Sequence, residues 1–207
     1  RLEHTLLLVC EHHDETEEGL LYFRMLSEKK VDGILVFSFS VPEHLPPQVQ
    51  QGDMLQTIPF VTIDWPEREG FNVLCDLQSG SHQAVAHLLA HGHQRVGLIT
   101  YAYDIPPVRE MQAGYQRALV DRGVALDAAL VAPVHGFDLQ AGEEAARALL
   151  RLPERPSAIF CVSDLLAIGA QNAFRAAGLR VPQDVAVIGI NDIPLASLVE
   201  PRLTTVH

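Results

Sequence analysis

The sequence predicts an α/β protein of two lobes, each a parallel sheet flanked by helices, with a hinge between them. Three observations carry that reading. Strand-like and helix-like segments alternate along the chain, the pattern of βα units with right-handed crossovers. The run Val185-Ala186-Val187-Ile188 is apolar on both parities, as a strand covered by helices on both faces must be. The pair Pro106-Pro107, after one strand and before a new helix, punctuates the middle of the chain.

The elements follow in order. Thr5–Cys10 reads as a strand, and Glu15–Lys30 as a helix with Leu21, Met25 and Leu26 at helical spacing and an acidic-to-basic order that complements the helix dipole. Ile34–Phe39 is a strand, Val49–Leu55 a short helix after the loop prolines 42, 46 and 47, and Phe60–Asp64 a strand. Asn72–Cys75 is a short edge. Over Ser79–His91 the residues Ala84, Val85, Leu88 and Leu89 form one apolar helical face, stopped by Gly92, and Val96–Thr100 is the next strand. A lobe boundary is expected within Tyr101–Pro107, giving lobes over 1–103 and 104–200. The second lobe carries helices Val108–Arg122, Leu139–Leu152 and Asp164–Ala177 and strands Leu130–Val134, Ala158–Val162 and Val185–Ile190. Residues 201–207 are expected to cross back toward the first lobe.

The last quarter is the most informative. Ser163 and Asp164 are N-cap residue types, so a helix starts there, turns Leu166, Ala167, Ala170 and Phe174 to one face and stops at Gly178, with Pro182 blocking continuation. The strand that follows ends at Asn191-Asp192. In open α/β sheets ligands bind outside the carboxyl ends of strands, which makes Asn191 a candidate site residue.

Composition narrows the function. No apolar run is long enough to span a bilayer. The chain has 207 residues and a formal net charge of −11, with 15 Lys and Arg against 26 Asp and Glu. The cations are scattered and no helix-turn-helix pattern is present, which argues against this segment holding nucleic acid by itself. Cys10, Cys75 and Cys161 are odd in number and sit in apolar strand-like or strand-edge segments, so buried thiols of a reducing, cytoplasmic compartment are expected rather than disulfides. There is no Gly-x-Ser-x-Gly elbow, P-loop or Gly-x-Gly-x-x-Gly after a strand, and no carboxylate pairing marks an acid–base couple, so an enzyme is not expected and neither is a cofactor. His87 and His91 stand at the i, i+4 spacing that can hold zinc, yet with Gly92-His93 they read better as a helix stop with cations near the C-terminal dipole, and no metal is expected. His12, His13 and Asp14 at a strand end read as a solvated loop.

Several stretches together resemble the effector-binding core of the LacI/GalR family of bacterial transcriptional repressors. They are Ser163-Asp164 leading into Ala167-Ile168-Gly169, then Gly178-Leu179-Arg180-Val181-Pro182-Gln183-Asp184-Val185, then Gly189-Ile190-Asn191-Asp192-Ile193-Pro194 followed by Leu203-Thr204-Thr205-Val206. Upstream, Val31-Asp32-Gly33-Ile34-Leu35, Ile58-Pro59-Phe60-Val61 with Asp64, His87-Leu88 with Gly92-His93, and Gly114-Tyr115 with Ala118-Leu119 fall in matching order. The resemblance covers nearly the whole chain. It implies a type I periplasmic-binding-protein-like fold whose interlobe cleft closes on a small effector, a sugar or related polar metabolite. Closure would be transmitted to operator DNA through a helix-turn-helix headpiece upstream of Arg1, along with the first strand and helix of the core. The alternative is a periplasmic sugar-binding protein of a transporter, which shares the hinged fold.

The resemblance also proposes residues. Ser38 and Phe39 end a strand and supply either a polar contact and a ring wall or an ordinary terminus. Trp65 takes a position where relatives set an aromatic against a planar or sugar face, or else packs as a loop aromatic. Phe137 resembles a cleft aromatic. The family's effector-binding arginine falls three residues before Gly114, at Met111 here, so Arg109 is two residues early and either reaches the cleft or stays solvated. Asn191 replaces the family's aspartate, and an amide suits a neutral polyol or sugar better than an obligatory carboxylate contact does. Ser163 occupies a place where relatives carry Asn or Asp, and Asp164 either contacts ligand or caps its helix. Leu195, Leu198 and Val199 resemble a second-lobe dimer contact, which implies a homodimer, or are buried within the lobe.

Overall fold

Parallel strands covered on both faces need crossover helices, and of the two parallel sheets among the described residues the second is built in this way. The structure, a computed structural model, describes residues 33–37, 60–64 and 71–207. The chain divides into two compact units, residues 1–75 and 76–207. The strand and helix expected over 5–30, the short helix over 49–55 and the site residues Ser38, Phe39 and Trp65 lie outside the described residues, as does Cys10.

In the first unit, β1 (Ile34–Phe37), β2 (Phe60–Ile63) and β3 (Asn72–Val73) form a parallel sheet in that order. Val36 pairs with Thr62 and Ile63 with Val73. Asp64, just past β2, has φ 55°, a left-handed conformation that aspartate tolerates. Its carboxylate accepts from the Cys75 amide at 2.7 Å and its own amide donates to the Val73 carbonyl at 2.9 Å, so it ties the ends of two strands.

The second unit contains α1 (Leu77–Ala90), β4 (Val96–Tyr101), α2 (Pro106–Asp121), β5 (Val131–Val134), α3 (Leu139–Leu150), β6 (Ala158–Cys161), α4 (Asp164–Ala176), β7 (Ala186–Ile190) and β8 (Thr204–Val206). Its five strands are all parallel in the order β5-β4-β6-β7-β8. Right-handed crossovers place α1 and α2 on one face and α3 and α4 on the other. Every residue of β4, β6 and β7 is buried, and the core runs through Val85, Leu98, Ile99, Tyr115, Phe160, Leu166 and Phe174. The apolar faces expected for α1 and α4 are those buried, and α4 stops at Gly178, whose φ is 79°.

The sequence reading needs three corrections. The second unit begins before α1, not at residue 104, because β4 lies inside its sheet between β5 and β6; Pro106 and Pro107 open α2, where a missing N–H costs nothing, and do not separate lobes. Residues 204–206 do not leave the second unit; they pair with Ile188–Ile190 as its fifth strand. Cys75 is exposed, because it follows a two-residue edge strand, whereas Cys161 is buried. No helix among the described residues is long and apolar enough to cross a membrane.

Candidate functional site

The strand order of the second sheet sets where its site must lie. From β4 the chain goes first to β5 on one side and then to β6 on the other, so adjacent loops at the carboxyl ends of β4 and β6 diverge to opposite faces and leave a crevice. The residues on this rim come from the segments after β4, β5, β6, β7 and β8.

Aromatic rings gather on one side of the rim. Tyr101, the last residue of β4, packs on Phe137 with ring centroids 4.6 Å apart. Tyr103 stacks on the same Phe137 at 5.4 Å with the ring planes 1° apart, and meets His135 edge-on at 5.8 Å. The Tyr103 hydroxyl donates to the His135 carbonyl at 2.7 Å, which fixes the loop after β5 against the loop after β4. Phe137 and Tyr103 are half-buried and Tyr101 is buried, so the trio offers part of its ring surface as an apolar wall. Burial pushes the Tyr101 phenol above its ordinary range, although it is hydrogen-bonded to the Ser163 side chain.

The other side of the rim is polar. Ser163 caps α4, its hydroxyl accepting from the Leu166 amide at 3.3 Å. Asp164 is fully buried. One of its oxygens accepts from the Thr205 hydroxyl at 2.6 Å and the other from the Ile193 amide at 2.9 Å, so the carboxylate joins the start of α4 to the loop after β7 and to β8. Burial raises its pKa, and the nearby Asp192 adds to the rise, while the Thr205 and Ile193 bonds oppose it. Asp164 is therefore a tie inside the rim, and the cap of α4 is Ser163, which corrects the capping role expected for Asp164.

Asn191 and Asp192 both stand in the left-handed region, with φ 120° and 49°. The Asn191 amide N–H donates to the Val206 carbonyl at 2.9 Å, and Asp192 N–H to the Thr205 hydroxyl at 3.3 Å. Such backbone turns the loop sharply off the strand end and leaves the Asn191 side chain exposed, without a hydrogen bond among the described residues. Asp192 also holds the His207 ring at 3.1 Å.

Arg109 sits in the first turn of α2 and pairs with Asp104 at 3.0 Å, an exposed ion pair that water screens. Met111, at the family's arginine position, is buried in the core. The structure thus brings Phe137, Ser163 and Asn191 to one rim, puts Arg109 beside it in a pair, and buries Asp164. Sequence reasoning missed Tyr101, Tyr103 and Thr205. Tyr101-Ala102-Tyr103 is legible as two same-parity aromatics at a strand end, but it falls where the prolines that follow suggest a lobe boundary.

Leu195 and Leu198, in and after a 3₁₀ turn over Pro194–Ser197, are exposed, Leu198 at 78%. Val199 instead packs against the core, which corrects its place in the expected patch. Of the histidines, His91 Nδ1 lies 2.8 Å from the His87 carbonyl oxygen, which fits a helix end. Among the described residues no group of three or more His, Cys, Asp or Glu is placed to hold a metal ion.

Comparison with known proteins agrees with this geometry. The family of periplasmic binding protein-like domains matches residues 85–207. The structure of the Escherichia coli transcriptional repressor AscG aligns with a TM-score of 0.77 at 30% identity, over 91% of this chain and 68% of that one. A LacI family transcriptional regulator from Mycobacterium smegmatis aligns with a TM-score of 0.76 at 30% identity, over 92% of this chain and 69% of that one. The chain belongs to the LacI family. The transcriptional regulator CelR in complex with cellobiose aligns at 32% identity with a TM-score of 0.80, over 92% of this chain and 58% of that one. Among curated relatives, the HTH-type transcriptional repressor PurR of Vibrio atlanticus is 33% identical over 204 residues, and PurR of Aliivibrio salmonicida is 30% identical over 203. Both alignments take in 97% of this chain and 60% of the relative, so the chain spans about 60% of their length.

Proposed function

We propose that this chain is the effector-binding part of a ligand-responsive, DNA-binding transcriptional repressor of the LacI type, acting in the cytoplasm as a homodimer and performing no chemistry. A small polar effector, a sugar or related metabolite, binds in the interlobe cleft that the family implies, against the carboxyl-terminal rim of the second unit. Closure on the effector changes how a helix-turn-helix headpiece meets operator DNA, a coupling of roughly 1–3 kcal/mol for allosteric proteins in general. Phe137 supplies the apolar face, and Asn191 and Ser163 supply hydroxyl-matching groups. Arg109 contributes when its exposed pair with Asp104 opens. From the first unit, Ser38, Phe39 and Trp65 complete the contact set.

The observation that carries this reading is the rim itself: Tyr101, Phe137 and Tyr103 in ring contact beside the sheet's switch point, with the Asn191 side-chain amide, unpaired among the described residues, on the loop after β7 of the same rim. With Met111 buried where relatives place a cation, the rim suits a neutral hydroxylated ligand better than an anion. The relatives are named as repressors, which favours this reading over a transport protein. Thermal-shift screening of the full chain against sugars, polyols and nucleobases tests it, because a ligand at 100 times its Kd adds about 2.7 kcal/mol of stability. A rise in Tm with one of these is expected, reduced at least severalfold in Phe137→Ala and in Asn191→Ala. No rise with any of them, or an unchanged rise in both variants, overturns the assignment.

A further inference from the structure

The end of the second sheet remote from the rim holds a second cavity. There the last turns of α1 and α2, the loop after α2 and the start of β4 border a half-open pocket of about 530 Å³. That volume falls in the roughly 300–1,000 Å³ range of small-molecule sites. Since β4 runs six residues from Val96 to Tyr101, the pocket and the rim are about 17 Å apart along the strand. The two belong to different ends of the same core.

The floor is apolar, made by Leu89, Val96, Leu119 and Leu130, all buried in the fold. The walls carry charge in an uneven way. The Arg95 guanidinium is held, with Nη1 at 3.2 Å from Asp127 and Nη2 donating to the Glu154 carbonyl at 3.1 Å, so its charge is balanced. Arg122, which caps α2, is exposed and has no ion pair or side-chain hydrogen bond among the described residues. That is notable in a chain with 26 acidic residues and 15 basic ones, where partners are plentiful. The Gln94 amide is likewise exposed and unpaired among the described residues. His93 faces the same pocket with Nδ1 3.0 Å from the Ser157 hydroxyl, and burial, then the neighbouring His91, holds its pKa below the usual value, so it adds no charge near neutral pH.

One objection is that helix C-termini carry partial negative charge, which repels anions. Here two of the last carbonyls of α2 are covered: Leu119 O accepts from Arg122 and Val124 N–H, and Val120 O from Gly123 N–H. The balance at the pocket is one uncompensated guanidinium and one amide above a hydrocarbon floor.

We infer that this pocket binds an organic monocarboxylate with a short apolar body, the carboxylate on Arg122 and Gln94 and the body on the leucine floor. A guanidinium matches a carboxylate in shape and charge, and the floor discriminates against small inorganic anions. The site is independent of the effector rim.

The test is two-dimensional amide NMR of the full chain titrated with benzoate, benzyl alcohol and inorganic phosphate. Benzoate is expected to shift the amides of Val96, Gly123, Val124 and Leu130 saturably, leaving those of Tyr101 and Phe137 in place. Arg122→Gln, on an exposed residue, should weaken benzoate roughly tenfold, the loss of a charge-assisted bond. Val124→Glu, which sets a carboxylate in the wall, should abolish binding, and Arg147→Gln on α3 should leave it unchanged. Equal binding of benzyl alcohol would remove the anion from the proposal, and equal competition by phosphate would remove the floor. Unchanged affinity in Arg122→Gln, or shifts confined to the rim, would refute the site.

Discussion

The crossing of α3 with α4 and the loop after β7 sit in one unit and meet at one residue, Asp164, yet they are built on opposite principles. At the crossing, backbone touches backbone. A Cβ added at Gly142 would overlap the Leu166 carbonyl oxygen, and one added at Gly169 would overlap that of Leu139, so each helix offers a glycine to the other. In the loop, backbone is bent into the left-handed region at Asn191 and Asp192 and is held by side-chain oxygens instead of close packing. The first arrangement is rigid because nothing smaller than glycine exists. The second is held by a few hydrogen bonds, and each can be removed singly.

The largest effect should come from the crossing. Gly169→Val forces α3 and α4 apart against the covered sheet, and overpacking with backbone as the obstacle should cost about 4 kcal/mol or more. Chemical denaturation with a comparison to Ser157→Ala, an exposed polar change at the other end of the sheet, measures it. A loss below about 1 kcal/mol would show that the helices slide freely, and the contrast drawn here would fail.

Next is the tie in the loop. Asp164→Ala leaves the Thr205 hydroxyl and the Ile193 amide without their acceptor, at about 2–3 kcal/mol near neutral pH. The pH dependence has a definite sign. Burial raises the Asp164 pKa, so the folded state holds this proton more tightly than the unfolded chain does. The wild-type protein therefore gains stability as pH falls through the folded pKa toward the ordinary aspartate value of 3.8, and the gain is lost as pH rises through the same window. The difference in stability between wild type and Asp164→Ala should widen on acidification. A difference that narrows would mean that the hydrogen bonds outweigh burial and that the carboxylate is stabilised as an anion.

The same contrast explains what could be read from the sequence. Helix faces follow a period of 3.6, so the buried sides of α1 and α4 were legible residue by residue, and the Ser163 cap was legible from side-chain chemistry. Strand partners leave no such trace. Whether Thr204–Val206 leaves the unit or adds a strand beside β7 is decided by contacts with residues about 16 positions earlier, which periodicity does not encode. The unit boundary was misplaced for a related reason. Prolines 106 and 107 are a loud local signal with a local cause, the first turn of α2, whereas the division between Cys75 and Asp76 is marked only by the Asp76 cap, whose carboxylate accepts from the Ser79 amide at 2.9 Å. Tyr101 and Tyr103 were lost to the site with that boundary. Asn191 is legible from its place at the carboxyl end of a strand, Phe137 from family resemblance, and both lie on the rim.

The smallest expected change in stability belongs to the exposed end of the loop and concerns assembly. Leu198 is 78% exposed and Leu195 36%, while Val199 turns inward, so the apolar surface offered beyond the 3₁₀ turn is narrow and consists of two leucines. Replacing Leu198 by Glu removes an exposed side chain and should alter folding stability by less than about 0.5 kcal/mol. If this surface meets its copy across a two-fold axis, each leucine appears twice in the contact, and two like charges would then face an apolar patch with little water to screen them. Light scattering of the full chain across a concentration series should show a dimer for the parent and a monomer for Leu198→Glu, with superimposable denaturation curves. A variant that associates as well as the parent would move the contact away from Leu195 and Leu198, and it would leave the loop after β7 with a single role, the shaping of the rim.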